Sequence, residues 1–352
     1  VTRIAIVTDA WHPQINGVVS TLENTAKALR ALGHEVEIVA PDLSRFSIPL
    51  PTYPDIRLEL FAASRIEKFL CEFTPDSIHI ATEGSLGRAA RKICMKCGLA
   101  FTTAYHTRFP EYVENRAPRL LAPAARALAL RYVRSFHKPS ACVLVPTESI
   151  ADDLCTKGFK NIVIWPRGVD TYLFTPNKAN VSVYGTLPRP ILLYVGRVAV
   201  EKNLPAFLDM DIAGSKVVIG DGPDLKILRD KYPEAIFLGP KANKDIAPYY
   251  SAADLFVFPS TTETLGLVLL EAAASGLRIA ACPAPGPLDL FSSAEAKQFS
   301  CLDENLQKAV EQALKLPPSP EAARRFAEKF SWEESARSFA ALTNVEALHT
   351  KE

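Results

Sequence analysis

The sequence predicts an α/β protein built on two doubly wound parallel sheets. Short β-branched runs alternate with stretches of helical spacing along most of its 352 residues, the pattern of strands covered by helices on both faces. That pattern starts twice, at Arg3 and again at Ile191, each time as a strand feeding a glycine-bearing loop. Between the two starts, Pro166, Gly168, Pro176, Gly185 and Pro188 break any long element, and the length suits two ordinary domains. The expected division is 1–168, 169–328 and a C-terminal helix, 329–352, that packs back toward the first domain.

In the first half Arg3-Ile4-Ala5-Ile6-Val7-Thr8 is a strand, and Asn16-Gly17 sits in the loop after it. Residues 20–32 then have helical spacing until Gly33 stops them. A strand at 36–40 completes a βαβ opening, and further strands are predicted at 77–81, 100–105, 142–145 and 162–165. In the second half Ile191-Leu192-Leu193-Tyr194-Val195 runs into Gly196-Arg197, with Glu201-Lys202-Asn203 just beyond. Strands follow at 216–219, 235–238, 255–258 and 278–281, with helices between them. The tail, 331–348, reads as one amphipathic helix carrying Trp332, Phe339, Leu342 and Val345. No repeat of solenoid period and no low-complexity tract interrupts this order. Doubly wound domains bind ligands at the carboxyl ends of their strands, so a ligand between two of them is gripped from both sides.

A formal net charge of +1 gives no reason to expect nucleic acid as a partner. The charge is uneven, however: 88–138 holds eleven basic residues against only Glu111 and Glu114, so this part of the first half is strongly basic. The seven cysteines are odd in number and several lie in apolar runs, which reads as a reducing compartment. Cys94-Met95-Lys96-Cys97 has no second pair, and the plain reading is two thiols on one helix. No segment approaches the roughly 18 to 20 apolar residues of a membrane span, and the first strand begins at once. The expectation is a cytosolic protein.

The chemistry-bearing residues cluster after strands. Glu263 and Glu271 lie eight residues apart, on either side of an expected helix start near Leu265. One carboxylate then stands on the entering loop and the other on an early turn. The unpaired N–H groups of a helix start suit a phosphate, and carboxylates beside them suit sugar hydroxyls. The implied ligand is a sugar joined through diphosphate to a nucleoside. Breaking that sugar's C–O bond builds negative charge on the leaving diphosphate, and Arg197 and Lys202, in a loop after a strand, are placed to meet it. Gly17 is either an ordinary turn glycine or a point where bare backbone approaches phosphates. His106, directly after a strand, is either structural or a contact to the donor sugar. Asp209-Met210-Asp211 looks like a metal-holding carboxylate pair but lacks a glycine loop, and two cations on the diphosphate make a divalent ion unnecessary. Asp221-Gly222-Pro223 reads as a turn, and no intact G-x-G-x-x-G supports a nicotinamide dehydrogenase. In the basic stretch, Leu120, Leu121, Leu128, Leu130, Val133 and Phe136 interleave with Arg119, Arg126, Arg131 and Arg134. That is either an interfacial helix on an anionic bilayer or a core helix with a solvated arginine face.

These motifs together resemble, over nearly the whole chain, the retaining glycosyltransferases of family 4. The matching pieces are Ile6-Val7-Thr8-Asp9 with Pro13 and Asn16-Gly17-Val18, Tyr105-His106-Thr107, Pro166-Arg167-Gly168-Val169-Asp170, Gly196-Arg197 through Glu201-Lys202-Asn203, Pro259-Ser260 with Glu263 and Glu271, and Phe330-Ser331-Trp332. The resemblance implies the GT-B fold, two Rossmann-like domains facing across a cleft, the first on the acceptor side and the second holding the nucleotide sugar. It implies that Glu271 holds the ribose, Glu263 the donor sugar, and Arg197 with Lys202 the diphosphate. Leu265 and Gly266 would add backbone donors, Gly17 would close over the phosphates, and His106 would lie near the anomeric carbon. Acceptor-side contacts are expected from Asp9, Trp11, His12, Asn16, Arg108 and Tyr112. Anomeric configuration is kept by front-face attack, with the leaving phosphate oxygen taking the acceptor proton, and neither cofactor nor metal is required.

Within the family, Asn16-Gly17-Val18 and Tyr105-His106-Thr107-Arg108-Phe109-Pro110 are most similar to members that glycosylate membrane lipids. This implies a lipid acceptor such as diacylglycerol, a peripheral position on an anionic cytosolic membrane face, and a UDP-sugar donor, with GDP-mannose second. A soluble sugar or polysaccharide acceptor, or a silent sugar-nucleotide sensor, are the competing readings. Two stretches depart from the family pattern: Pro283-Ala284-Pro285-Gly286-Pro287, where many relatives have a glycine pair, and the short run from Lys202 to Asp221.

Overall fold

Ile4, Ala5, Ile6 and Val7 are wholly buried, which an apolar run of this kind achieves as a central strand with helices on both faces. They form most of β1 (Arg3–Val7), the start of the first of two sheets in a computed structural model that describes residues 1–14, 16–42, 47–50, 53–59, 61–176 and 181–344. The chain divides into two compact units, Gly168–Ser331 forming the second and the segment from Trp332 joining the first.

In the first unit, α1 (Gly17–Ala31) and β2 (Glu35–Val39) follow β1, then an antiparallel hairpin of β3 (Ser47–Leu50) and β4 (Tyr53–Glu59). The rest alternates: α2 (Ala63–Phe73), β5 (Ser77–Ile80), α3 (Ser85–Cys97), β6 (Thr102–Ala104), α4 (Phe109–Glu114), α5 (Ala122–His137), β7 (Val143–Val145), α6 (Glu148–Thr156) and β8 (Ile162–Ile164). The main sheet runs β2-β1-β5-β6-β7-β8, every pair parallel. Its strand order reverses between β1 and β5, the point where open sheets of this kind leave a crevice. Here the crevice is filled. Asp9, just past β1, accepts hydrogen bonds from the hydroxyls of Thr82 (2.9 Å) and Ser85 (3.1 Å) and from the backbone N–H groups of Leu86 (2.8 Å) and Gly87 (3.2 Å). The carboxylate thus caps α3 from another loop. Burial raises its pKa while these four donors pull it down.

The second unit repeats the alternation: β9 (Ile191–Val195), α7 (Leu204–Leu208), β10 (Ser215–Ile219), α8 (Leu225–Lys231), β11 (Ile236–Phe237), α9 (Asn243–Ala252), β12 (Leu255–Phe258), α10 (Leu267–Ala274), β13 (Arg278–Ala281), α11 (Pro285–Phe291), β14 (Ser300–Leu302), α12 (Leu306–Lys315) and α13 (Pro320–Ala327). Its sheet runs β11-β10-β9-β12-β13-β14, also all parallel, with the reversal between β9 and β12. Both central strands are buried throughout.

The last helix, α14 (Trp332–Thr343), returns to the first unit. Its Ala336 and Phe339 lie in one core cluster with Ile4, Ile6, Leu22 and Trp165. Trp165 donates its indole N–H to the Oγ (3.1 Å) and carbonyl (3.2 Å) of Ser335, whose hydroxyl donates to the Pro166 carbonyl at 2.7 Å. Val345 lies outside the described residues.

The predicted strands are all present, but the hairpin and β14 are additions, and α1 begins at Gly17 rather than Ser20. The earlier start has a local cause: the Asn16 side chain accepts from Val18 N (3.0 Å) and Val19 N (3.1 Å), an N-cap that draws Gly17 out of the loop into the first turn.

Replacing Asp9 by Ala should orphan the buried donors it now satisfies and lower stability by about 1 to 3 kcal/mol. Equilibrium urea unfolding measures this, and a loss under about 0.5 kcal/mol, the size of an ordinary surface substitution, would show that the cross-loop cap is not what holds α3.

Candidate functional site

In the second unit the loops that follow β9 and β12 leave adjacent strands at the reversal of strand order. A wholly buried β9 can carry no charge, so Arg197 and Lys202 come immediately after it, where water and ligand have access. The loop carrying Arg197 is fixed from beneath. Tyr194, 1% exposed, donates its hydroxyl to the Arg197 carbonyl at 2.7 Å. The loop after β10 lies directly against it: Val198 N donates to Asp221 O at 2.8 Å, and a Cβ on Gly220 would stand 1.8 Å from the Gly196 carbonyl oxygen. What the sequence shows as a turn at Asp221-Gly222-Pro223 is therefore a brace for the arginine loop.

Residues 201–203 are tied sideways to the loop after β12. The Ser260 hydroxyl donates to Glu201 O at 3.3 Å, and Asn203 Nδ2 donates to Pro259 O at 3.3 Å. This brings Lys202 and Glu263 into an ion pair, both side chains about four-fifths buried. The sequence reading gave these two residues separate partners, the diphosphate and the sugar; in the structure each also satisfies the other.

Beyond Glu263 comes Leu265, buried, then Gly266 with φ +84°, and only then the helix. A left-handed residue just before α10 moves its start two positions past Leu265. Glu263 stands on the entering loop and Glu271 in the second turn, and the helix start has no side-chain cap, which leaves its first N–H groups available to an oxyanion. Gly286, in the proline-rich stretch, packs here: a Cβ on it would stand 2.4 Å from the Leu265 carbonyl oxygen, and its N–H donates to Glu263 O at 3.3 Å. Glu271 accepts from the hydroxyl of buried Tyr250 at 2.8 Å. Burial pushes its carboxyl up to about 7 against the pull of that bond.

In the first unit His106 follows β6, half-buried, with its ring edge-on to Trp165 at 6.1 Å between centroids. Burial, reinforced by the Arg167 guanidinium, holds its pKa well below the usual histidine value, so the imidazole is neutral. Gly17 is exposed, has no positive φ, and an added Cβ would meet nothing within 4 Å. It is the first residue of α1, and neither its backbone angles nor its neighbours require glycine there.

Several acceptor-side candidates, and the metal candidate Asp209, have partners within the protein. Asp9 is the α3 cap and Asn16 the α1 cap. Arg108 pairs with Glu111 (3.1 Å) and Asp153 (3.3 Å), and the Tyr112 ring is covered by the Arg116 guanidinium at 3.6 Å. Trp11 packs on the core of its unit and touches the ring of His12, which is exposed and 3.6 Å from Glu23. Asp209 accepts from the Tyr232 hydroxyl at 2.6 Å.

The basic stretch also divides. Val133 and Phe136 of α5 are core residues, and Arg126 pairs with Glu111 (3.5 Å) and Glu114 (3.2 Å). On the other side Leu120 and Leu128 are 95% and 70% exposed, with Leu121 also outward. Arg119, Arg131 and Arg134 are exposed too, and Arg134 reaches the Lys157 carbonyl at 3.4 Å. The sequence reading missed Tyr194, Tyr250 and Gly286. The tyrosines sit inside apolar runs where only tertiary contact distinguishes them, and the glycine's role depends on a loop more than twenty residues away in sequence.

Residues 15–173 match the family description Glycosyltransferase Family 4, and 189–316 match Glycosyl transferases group 1. The chain is 30% identical to a GDP-mannose-dependent alpha-mannosyltransferase of Mycobacterium tuberculosis, covering 82% of this chain and 81% of that one. It is also 30% identical to an alpha-monoglucosyldiacylglycerol synthase of Streptococcus pneumoniae, covering 90% and 79%. Among solved structures, a sucrose-phosphate synthase from Thermosynechococcus elongatus superposes with a TM-score of 0.77 over 99% of each chain at 20% identity. That likeness is one of fold, and together with the two parallel six-stranded sheets it makes the fold GT-B.

A carboxyl near 7 gives the Glu271 position a pH signature. With a pKa above its ordinary 4.5, the group is protonated below about 7 and accepts hydroxyl hydrogen bonds best once ionised above it. Affinity for an intact nucleoside-diphosphate sugar, whose diphosphate does not titrate in this range, should rise about ten-fold from pH 6 to pH 8. Glu271→Gln should flatten the profile; calorimetric titration of both proteins measures it, and equal slopes would remove Glu271 from the ligand contact.

Proposed function

The chain belongs to glycosyltransferase family 4, and from that premise we propose that it moves a hexosyl group from a nucleoside-diphosphate sugar to a hydroxyl of a membrane lipid such as diacylglycerol, keeping the anomeric configuration. The observation that carries the donor half is the Lys202–Glu263 pair at the uncapped start of α10, with Arg197 on the neighbouring braced loop. Such a site offers a diphosphate two cations and a set of backbone N–H groups, and offers sugar and ribose hydroxyls two carboxylates, Glu263 and Glu271. Leu265 and Gly266 present the backbone that leads into that helix.

The reaction breaks the bond between the anomeric carbon and the phosphate oxygen, and the acceptor hydroxyl oxygen takes its place on the same face. The acceptor's proton passes to the departing phosphate oxygen, so no protein nucleophile is used. Arg197 and Lys202 supply the positive charge that the leaving diphosphate needs, and on this reading no divalent ion is required. His106, neutral, contacts the sugar near the anomeric carbon, and Gly17 presents open backbone at the start of α1 to the phosphates. A UDP-sugar is the first reading of the donor. GDP-mannose is the second, favoured by the similarity to the GDP-mannose-dependent mannosyltransferase.

The lipid acceptor draws support from two sides. One relative is by name a synthase of monoglucosyldiacylglycerol, and another is a sulfoquinovosyl transferase of Arabidopsis thaliana. In addition, α5 and the turn before it present Leu120, Leu121 and Leu128 outward with Arg119, Arg131 and Arg134, an apolar edge beside cations that fits an anionic bilayer surface. No helix among the described residues is long and apolar enough to cross a membrane, and the proposed association is peripheral, on the cytosolic face.

Transfer is tested with radiolabelled UDP-glucose and GDP-mannose against diacylglycerol vesicles and against soluble oligosaccharides. Lipid-linked product supports the proposal, product on the soluble acceptors alone replaces the acceptor, and tight nucleotide-sugar binding with no product on any acceptor favours a sensor. In the active pairing Lys202→Ala should lower kcat by roughly 10² with a smaller change in donor affinity; a rate within a few-fold of the parent would remove Lys202 from the transition state.

Replacing Leu128, Arg131 and Arg134 together by Ala should weaken sedimentation with anionic vesicles by roughly ten-fold or more while leaving nucleotide binding intact. Unchanged sedimentation would show that this face does not meet the bilayer.

A further inference from the structure

Arg167 is the last residue of the first unit's N-terminal stretch, two positions past Trp165 and just beyond β8. It is 4% exposed. Its Nη1 donates to the Trp165 carbonyl at 2.6 Å, and its guanidinium lies over the Trp165 ring with Cζ 3.8 Å from the centroid. The edge formed by Nε and Nη2 reaches no acceptor among the described residues, and no carboxylate there lies within 4 Å of the group.

Other arginines of this unit show what is missing. Arg65 is forked onto buried Glu59 through Nε (3.1 Å) and Nη2 (2.6 Å), and Arg108 is held by Glu111 and Asp153. Arg167 has no such carboxylate, and none of its nitrogens is both fully buried and unbonded, so the open edge is reached by solvent. The side chains within electrostatic reach do not supply the anion: His79, pushed down to about 3 by burial and by Arg167, and His106 are both neutral. Burial lowers the guanidinium's own pKa to about 9, so it remains charged at neutral pH. Its surroundings are the Trp165 π-face and, within electrostatic reach, two neutral imidazoles, with one hydrogen-bonding edge unused.

We propose that Arg167, seated on Trp165 beside His106 at the carboxyl edge of the first unit's sheet, forms a subsite for a single oxyanion on a substrate. A carboxylate, sulfonate or phosphodiester offers two oxygens to the open Nε–Nη2 edge, the bidentate geometry a guanidinium matches best. The group is carried either by the transferred sugar or by the acceptor lipid. The subsite belongs to the first unit, Arg197 and Lys202 to the second, and it makes Arg167 a determinant of which substrates the protein takes. Only the kinetic part of the test rests on the transferase reading.

The first measurement is thermal unfolding of the full chain in sodium sulfate against sodium chloride of equal ionic strength, for the parent, Arg167→Met and Arg167→Lys. Sulfate at Arg197 and Lys202 affects all three alike, so the difference between proteins reads Arg167. The parent should gain several degrees more than the Met variant, with Lys between them. The second measurement compares kcat/KM for UDP-glucuronate against UDP-glucose, and for phosphatidylglycerol against diacylglycerol. In one pair the ratio of charged to neutral substrate should fall at least ten-fold in Arg167→Met and recover in part in Arg167→Lys, and the pair that responds identifies the carrier. Equal sulfate protection in all three proteins, or equal losses on charged and neutral substrates, overturns the subsite. Sulfate protection that depends on Arg167 in a protein that transfers nothing would keep the subsite and reject the transferase reading instead.

Discussion

A parallel strand buried on both faces has no room for charge, and this constraint arranges everything else in the protein. Ile191 to Val195 and Leu255 to Phe258 are buried at every position, so ionisable groups are displaced to the loops at the carboxyl edge. Because β9 and β12 are neighbours at the reversal of strand order, two such loops emerge side by side. Arg197 and Lys202 arrive from one, Glu263 from the other. The ion pair of Lys202 with Glu263 then follows from topology, and it also lets each group be four-fifths buried without ligand, since an unpaired charge there would carry a desolvation cost neither could offset.

The two units use the same architecture for opposite ends. In the second, the crevice at the strand reversal keeps an uncapped helix start and a set of ionisable side chains. In the first, Asp9 crosses the equivalent gap and satisfies the start of α3 with its own carboxylate. A helix start already occupied by a carboxylate does not take a phosphate as well. The oxyanion subsite proposed for the first unit therefore lies away from that reversal, at the loops after β6 and β8 where His106 and Arg167 lie.

The sequence made the strand and helix alternation legible because central strands such as Ile191–Val195 and Leu255–Phe258 are continuous, largely apolar runs. The positions of Glu263 and Glu271 around a helix start were legible from spacing alone. What escaped was whatever depends on tertiary contact between loops. Tyr194 and Tyr250 look like strand and helix filler, yet their hydroxyls hold Arg197 and Glu271. The short β14 and the β3–β4 hairpin carry too few residues to show a period. Asp9, in a motif shared with the family, suggested substrate contact; its partners, Thr82 to Gly87, lie more than seventy residues away, so nothing local could reveal a cap. The arginines of α5 divide for a similar reason, since Glu111 and Glu114 are brought to Arg126 by the packing of α4 on α5.

The neutrality of His106 narrows how the proposed transfer can run. An imidazole held uncharged by burial and by a neighbouring guanidinium is a poor place to lodge the acceptor's proton, because protonation would add a second cation within electrostatic reach of buried Arg167. A neutral ring can still hydrogen-bond a sugar hydroxyl and hold it in place. The proton then has a better destination in the departing diphosphate, whose growing negative charge makes it the strongest base formed in the reaction. A neutral His106 is consistent with the proposed front-face attack with the leaving group as base, and the oxyanion proposed on Arg167 would ease that environment only in part, since it would be divided between the guanidinium and the ring.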